Sequence, residues 1–259
     1  MASYAHVVLS PHFDDAALSC GGRIHHLTGR GQRVLVVTLF AGDHGPRLSP
    51  FAQSLHEQWG HPADVIAARR AEDDAALRIL GADTARLDFP DCIYRGAAGG
   101  RQGYYTDEAA LFGPVHPAES HLPDQLAAAI AALLPGETAV TVYAPLSVGN
   151  HVDHQMAHAA ALRLKRPNLT VVFYEDYPYA DWPNALQAAR EARGAQSWTA
   201  RTMPFDRVDL AAKIEAVRTY QSQLGVLFGN EAAMVERVTA YARRLGGGQP
   251  AERTWQPAA

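Results

Sequence analysis

The stretch Ala5-His6-Val7-Val8-Leu9, followed by Ser10-Pro11-His12-Phe13-Asp14-Asp15-Ala16, reads as a buried strand that runs into a polar turn and then a helix. Four further apolar, β-branched runs follow it: Arg33 to Phe40, Ala85 to Phe89, Ala139 to Ala144 and Leu169 to Tyr174. Each is nearly continuously apolar, which fits interior strands covered by helices on both faces. Between them lie Ala- and Leu-rich helical segments, Ala16 to Thr28, Ala63 to Leu80, Pro123 to Leu134 and Val152 to Arg163. Gly81 falls where a helix cap belongs, and Pro135-Gly136 stops the third helix. This alternation predicts an α/β fold, a doubly wound, mostly parallel sheet of order 3-2-1-4-5. Two more helices, near Val208 to Leu224 and Asn230 to Leu245, have no strand between them and are expected to form a helical C-terminal cap.

Composition bounds the possibilities. The 259 residues are 47% hydrophobic and 19% charged, with a formal net charge of -4. One domain over residues 1–248, with Gln249 to Ala259 as a flexible tail, is the expected organisation. The longest uninterrupted apolar run, Leu126 to Leu134, is nine residues, against the roughly 20 that a membrane-spanning helix needs. Met1 to Val8 lacks a basic run followed by an apolar segment, so a cytoplasmic protein is the default expectation. Cys20 and Cys92 read as free thiols, and the absence of a basic cluster argues against a nucleic-acid partner. Association into a homo-oligomer is left open.

Two short motifs carry chemistry. Ser10 to Ala16 follows the first strand, and Asn150-His151-Val152-Asp153-His154 follows the fourth; each precedes a helix. In the predicted order those strands are neighbours, so both motifs point into the crevice at the carboxyl ends of the strands, where open α/β sheets bind ligands. His12, Asp15 and His154 supply two imidazoles and a carboxylate, a ligand set of hydrolytic zinc that leaves one position open. Asp14 is then placed to act as general base. His151 could stabilise an oxyanion as imidazolium or protonate a leaving amine, with Asp153 orienting it. Against this stands the ordinary use of Asp as a helix N-cap, open to Asp14 and Asp15 alike.

Pro11-His12-Phe13-Asp14-Asp15 resembles the Pro/Ala-His-Pro-Asp-Asp signature of the PIG-L/LmbE-like zinc N-deacetylase family, and His151-Val152-Asp153-His154 resembles its His-Pro-Asp-His. The likeness continues in order through Arg69-x-x-Glu72 with Ala76 and Leu80-Gly81, through Phe89-Pro90-Asp91, and through Tyr220-Gln221-Ser222-Gln223. It implies a Rossmann-like fold and metal-dependent removal of an acetyl or other acyl group from an amino sugar. It also implies zinc on His12, Asp15 and His154, with Asp14 as base, His151 supporting the tetrahedral intermediate, and Arg69 and Asp91 touching the sugar. Another divalent transition metal could replace zinc. The sequence departs from the family at Phe13 and Val152, where Pro is common, and at Ala16, where Glu is common.

Other residues invite plainer readings. His158, one helical turn beyond His154, is expected to pack away from the crevice. His6, His25 and His26 read as structural, while His44, His56, His61, His116 and His121 sit in or beside two long connections, Gly42 to Pro62 and Cys92 to Leu122. Loops of that length tend to bind substrate. Their aromatics, with Tyr177, Tyr179 and Trp182 after strand five, serve packing or sugar stacking. Glu175-Asp176 could bind substrate hydroxyls, and Cys20-Gly21-Gly22 lacks the spacing of a dinucleotide fingerprint. The expected activity is a zinc-dependent hydrolase of an N-acyl amino sugar or glycoside. Its competitors are a metal-binding module without catalysis and a zinc amidohydrolase or esterase acting on a non-sugar substrate.

Overall fold

The structure is a computed structural model that describes residues 4–60, 64–97, 103–134, 136, 138–194 and 197–258. His61, Pro62, Ala63, Pro135 and Ala259, which figure in the expected loop, helix ends and tail, lie outside the described residues. Strands β1 (His6–Ser10), β2 (Val34–Thr38), β3 (Asp83–Arg86), β4 (Val140–Pro145), β5 (Leu169–Tyr174), β6 (Trp198–Pro204) and β7 (Ala251–Pro257) form one sheet of order β3-β2-β1-β4-β5-β7-β6. The first five are parallel in the expected 3-2-1-4-5 order. Helices α1 (Asp15–Thr28), α3 (Val65–Leu80) and α8 (Arg207–Arg218) pack together on one side, and α5 (Leu122–Leu133) and α6 (Val152–Arg163) pack together on the other.

Strand alternation supplies both cores. Val8, Val34 and Val36 belong to the cluster with α1 and α3, whereas Val7, Leu9, Leu35 and Val37 belong to the cluster with α5 and α6. Continuous burial along β1 and β2 is thus two opposite faces, each covered. β3 departs from the expected interior character: it is an edge strand, with Asp83 and Thr84 exposed.

The carboxyl-terminal region differs most from expectation. The expected tail, Gln249 to Ala259, is not borne out over 251–257, because Ala251–Pro257 forms β7, antiparallel to both β5 and β6 and inserted between them. Its Glu252 is buried, paired with Lys213 at 2.7 Å, and accepts the backbone N–H groups of Gly22 and Arg23 in α1 at 3.0 and 2.9 Å. Gly22 has a packing role here: a Cβ would meet the Phe205 ring at 2.3 Å. The expected helix Val208 to Leu224 breaks at Thr219-Tyr220 into α8 and α9 (Gln221–Phe228), ahead of α10 (Glu231–Leu245). The connections hold structure too, with α2 (Pro50–Gln58) in the first and short α4 (Glu108–Leu111) in the second, while α7 (Ala185–Ala192) follows β5. These connections share a small core of Ala52, Cys92, Ile93, Tyr105, Leu111 and Val152.

His158 is a packed residue, 3% exposed, with Nδ1 2.9 Å from the Pro145 carbonyl oxygen and its ring 4.3 Å from that of Phe173. Burial pushes its pKa down to about 4 from 6.5. The folded state therefore refuses a proton that the unfolded chain accepts, so stability is complete above 6.5 and falls as pH drops toward 4. At pH 5 this costs about 2 kcal/mol. His158→Gln keeps a donor for Pro145 and is expected to flatten the fall in urea-unfolding free energy between pH 7 and pH 5 by about that amount.

Candidate active site

The site forms because β1 pairs directly with β4, through His6↔Thr141, Val7↔Val142 and Val8↔Tyr143. Their carboxyl ends deliver both motifs to one crevice. At the end of β1, Ser10 Oγ accepts the Ala16 N–H at 2.9 Å and donates to the His12 carbonyl at 2.6 Å. Ser10 thereby ties down the entry to α1, and Asp14, although it occupies the N-cap position, makes no side-chain cap bond. At the end of β4, His151 is the N-cap of α6, its Nδ1 accepting the Asp153 N–H at 3.3 Å.

Asp15 Oδ2 lies 3.3 Å from both His12 Nδ1 and His154 Nε2, and also accepts the His12 N–H at 2.8 Å. Two donors each about 2.0–2.1 Å from one tetrahedral zinc stand roughly 3.3–3.4 Å apart, so this spacing fits such an ion. The outer nitrogens of both imidazoles are held as metal-bound histidines usually are: His154 Nδ1 is 2.6 Å from Asp176 Oδ1, and His12 Nε2 is 3.1 Å from Asp153 Oδ2. Three further groupings bring possible ligand atoms within 4.8 Å of one another: the nitrogens of His12, His151 and His154; Cys92 Sγ with a His151 nitrogen and an Asp153 oxygen; and a His12 nitrogen with oxygens of Asp91 and Asp153.

Electrostatics agree with a cation at this point. Burial would lower the pKa of His154, but Asp15 and Asp176 carry it up to about 9. Burial likewise opposes charge on His12, yet Asp91, Asp15 and Asp153 hold its pKa well above the ordinary value. Two imidazoles, His154 buried and His12 half-buried, thus face an excess of carboxylate charge that a divalent ion would neutralise while displacing protons. Burial raises the Asp14 carboxyl and Arg69, whose Nη2 is 3.3 Å from Asp14 Oδ1, pulls it back.

Burial, followed by the neighbouring His12, pushes the pKa of His151 well below its usual value, a direction that favours the neutral ring over the imidazolium. Because Nδ1 accepts the Asp153 N–H, Nε2 is the nitrogen that carries the proton. The Asp153 carboxylate does not orient His151: its partners are Arg95 Nη1 at 2.7 Å, the Cys92 N–H at 3.0 Å and His12. Arg69 and Asp91 both line the cleft, as expected of sugar-contacting residues. Glu175 and Asp176 do not bind hydroxyls there: Asp176 holds His154, and Glu175 accepts from Tyr241, Arg253 and Trp255. Arg95 was not legible as a site residue; it bridges Asp153 to Glu119, which also accepts from Tyr105 at 2.6 Å.

With this geometry the comparisons agree. Residues 7–165 match the PIG-L family model, described as GlcNAc-PI de-N-acetylase. The chain belongs to the PIG-L family. A 2'-N-acetylparomamine deacetylase of Niallia circulans is 32% identical, over 88% of this chain and 84% of the relative. One of the same name from Streptomyces fradiae is 30% identical over 97% and 89%. Among solved structures, the zinc inhibited form of a teicoplanin deacetylase superposes with a TM-score of 0.78 at 30% identity, covering 96% of each chain.

In this PIG-L chain Tyr179 lines the cleft, its ring 6.1 Å from that of His154 and 5.8 Å from that of Phe112. Of the aromatics in the long connections and after β5, Phe51, Trp59, Phe112 and Tyr179 line the cleft, which encloses about 290 Å³. His25 and His26 instead bind Asp209, His6 meets Gln32, His56 meets Tyr94, His116 stacks on Tyr104, and His44 contacts the rings of His56 and Tyr94. His121 stands at the start of α5. Gly149 makes the seat for Tyr179: its φ is 84°, and a Cβ there would lie 2.7 Å from Tyr179 Cγ. Gly149→Ala combines left-handed strain with overpacking and is expected to cost about 2–4 kcal/mol in urea unfolding. A loss below about 0.5 kcal/mol would contradict this account of the Tyr179 seat.

Proposed function

We propose that this chain is a metal-dependent N-deacetylase that removes an acetyl or other acyl group from the amide nitrogen of an N-acyl amino sugar or its glycoside. The metal is zinc or a divalent ion able to replace it, held by His12, Asp15 and His154. The observation that carries the reading is the position of Asp15 Oδ2, 3.3 Å from both imidazole nitrogens, with Asp14 beside it in the cleft and uninvolved in capping. Deacetylases of 2'-N-acetylparomamine and of teicoplanin among the relatives support the amide of an amino sugar as the target.

Bound there, zinc would acidify a water and polarise the acyl carbonyl. The chain's own groups divide the remaining work. Asp14, buried and held by Arg69, accepts the proton of the attacking water and returns it to the leaving amine. The neutral His151 presents Nε2–H to the oxygen that becomes negative as the tetrahedral adduct forms. Asp176 and Asp153 fix the rings of His154 and His12. Arg69 and Asp91 hold the sugar against the cleft floor.

Purified protein is expected to contain about one zinc per chain and to release amine from N-acetylglucosaminides, with chelation abolishing release. Metal should be added back over a range of metals and concentrations, because the related teicoplanin deacetylase has a zinc inhibited form. Asp14→Asn should retain metal and lose about 10²–10⁴ of the turnover. Asp15→Ala should lose the metal itself. Full turnover in either variant would overturn its role. Asp176→Asn should weaken metal binding by roughly 10–100-fold in a chelator competition.

A further inference from the structure

Arg69 has two tasks, to hold Asp14 and to meet the sugar, yet its contact with Asp14, Nη2 to Oδ1, is a long 3.3 Å. One contact of that length does not fix a side chain with so many rotamers. Two aromatic rings supply the restraint that the ion pair lacks. The guanidinium carbon of Arg69 stands 4.8 Å from the centre of the Trp59 ring and 5.8 Å from that of Phe13. Both lie within the roughly 6 Å over which an aromatic face attracts a guanidinium. Arg69 is buried, so the attraction acts where water is largely excluded and is stronger for it.

Each ring is itself held. Trp59, the C-cap of α2, stacks on His56 with centroids 5.9 Å apart and planes inclined by 28°, and His56 Nε2 lies 2.6 Å from the Tyr94 hydroxyl oxygen. Phe13 is buried and has a second guanidinium, that of Arg86, 5.8 Å from its centre. Arg86 is fixed in turn by Asp73 at 2.8 Å and Asp74 at 2.6 Å. Phe13 stands between His12 and Asp14 in the chain, where the PIG-L family commonly has Pro. A pyrrolidine ring has no π face, so the Phe13 half of this arrangement belongs to this chain and not to the motif.

Building on the deacetylase reading above, we propose that Trp59 and Phe13 are positioning residues that clamp the Arg69 guanidinium against Asp14. Both act through Arg69, narrowing its conformations to those that keep Asp14 paired while it takes a proton from the attacking water. The first long connection, which carries Trp59, thereby reaches the reaction through an aromatic face.

The test uses the full-length, metal-loaded enzyme, with kcat and KM measured separately for amine release from methyl 2-acetamido-2-deoxyglucoside. Trp59→Leu is expected to lower kcat about 3–30-fold with a smaller change in KM. Trp59→Phe keeps a π face and should restore most of that loss. Phe13→Leu should act in the same direction as Trp59→Leu. In an Arg69→Gln background, Trp59→Leu should cost nothing further, because the group it clamps is gone. A ring that merely lines the cleft would instead raise KM alone and cost the same in either background. That pattern, or Trp59→Leu as active as wild type, would overturn the proposal. Should wild type release no amine, the deacetylase reading fails, and fluorine NMR of fluorotryptophan-labelled protein still decides on the clamp. The Trp59 resonance, assigned by its loss in Trp59→Phe, should shift in Arg69→Gln while those of Trp182, Trp198 and Trp255 stay in place; an unmoved Trp59 resonance overturns the clamp.

Discussion

Everything in the site depends on the parallel pairing of β1 with β4. More than 130 residues separate their turns in the chain, yet the pairing sets the Asp15 carboxylate 3.3 Å from an imidazole on either side. A buried carboxylate surrounded by further carboxylates is costly unless cations or donors compensate it. Here His12 and His154 do so, each backed by an acid on its far side. The result is an arrangement of alternating imidazole and carboxylate groups.

The other elements either hold that arrangement or shape the space above it. α3 places Arg69 on Asp14, and one turn later its Glu72 accepts the backbone and hydroxyl of Ser222 at 2.8 and 2.6 Å. The same helix therefore joins Asp14 to the wall formed by α9. Arg95 does the equivalent on the opposite side, linking Asp153 to Glu119 in the second long connection. Two buried guanidinium groups in this way tie the two strand-end motifs to elements outside the sheet.

The central strands and the two motifs were legible because both are local in sequence: continuous apolar runs mark the strands, and polar residues placed just past their ends mark the crevice. What escaped reading depends on partners distant in the chain. Glu252 and Thr254 look like surface residues, but a lysine and two helix N–H groups bury the first, and β7 reads as a tail without them. β6 is an edge strand with exposed polar positions, so its apolar signal is weak. Asp153 lies two residues from His151 and was assigned to it, yet the helical backbone turns its carboxylate toward His12 and Arg95. Proximity in sequence was the misleading cue. At Asp176 the position at a strand end was informative, and the partner, an imidazole one strand away, was not.

The placement of β7 also orders assembly. β6 is made before β7 but reaches the rest of the sheet only through it, and β5 meets β7 over just Phe173↔Trp255 and Tyr174↔Thr254. Until β7 inserts, the free edge of β5 and the apolar side chains that β7 covers stay open, an invitation to pairing between nascent chains. The sheet is thus closed by long-range pairing, the kind of contact whose loop-closure entropy slows formation.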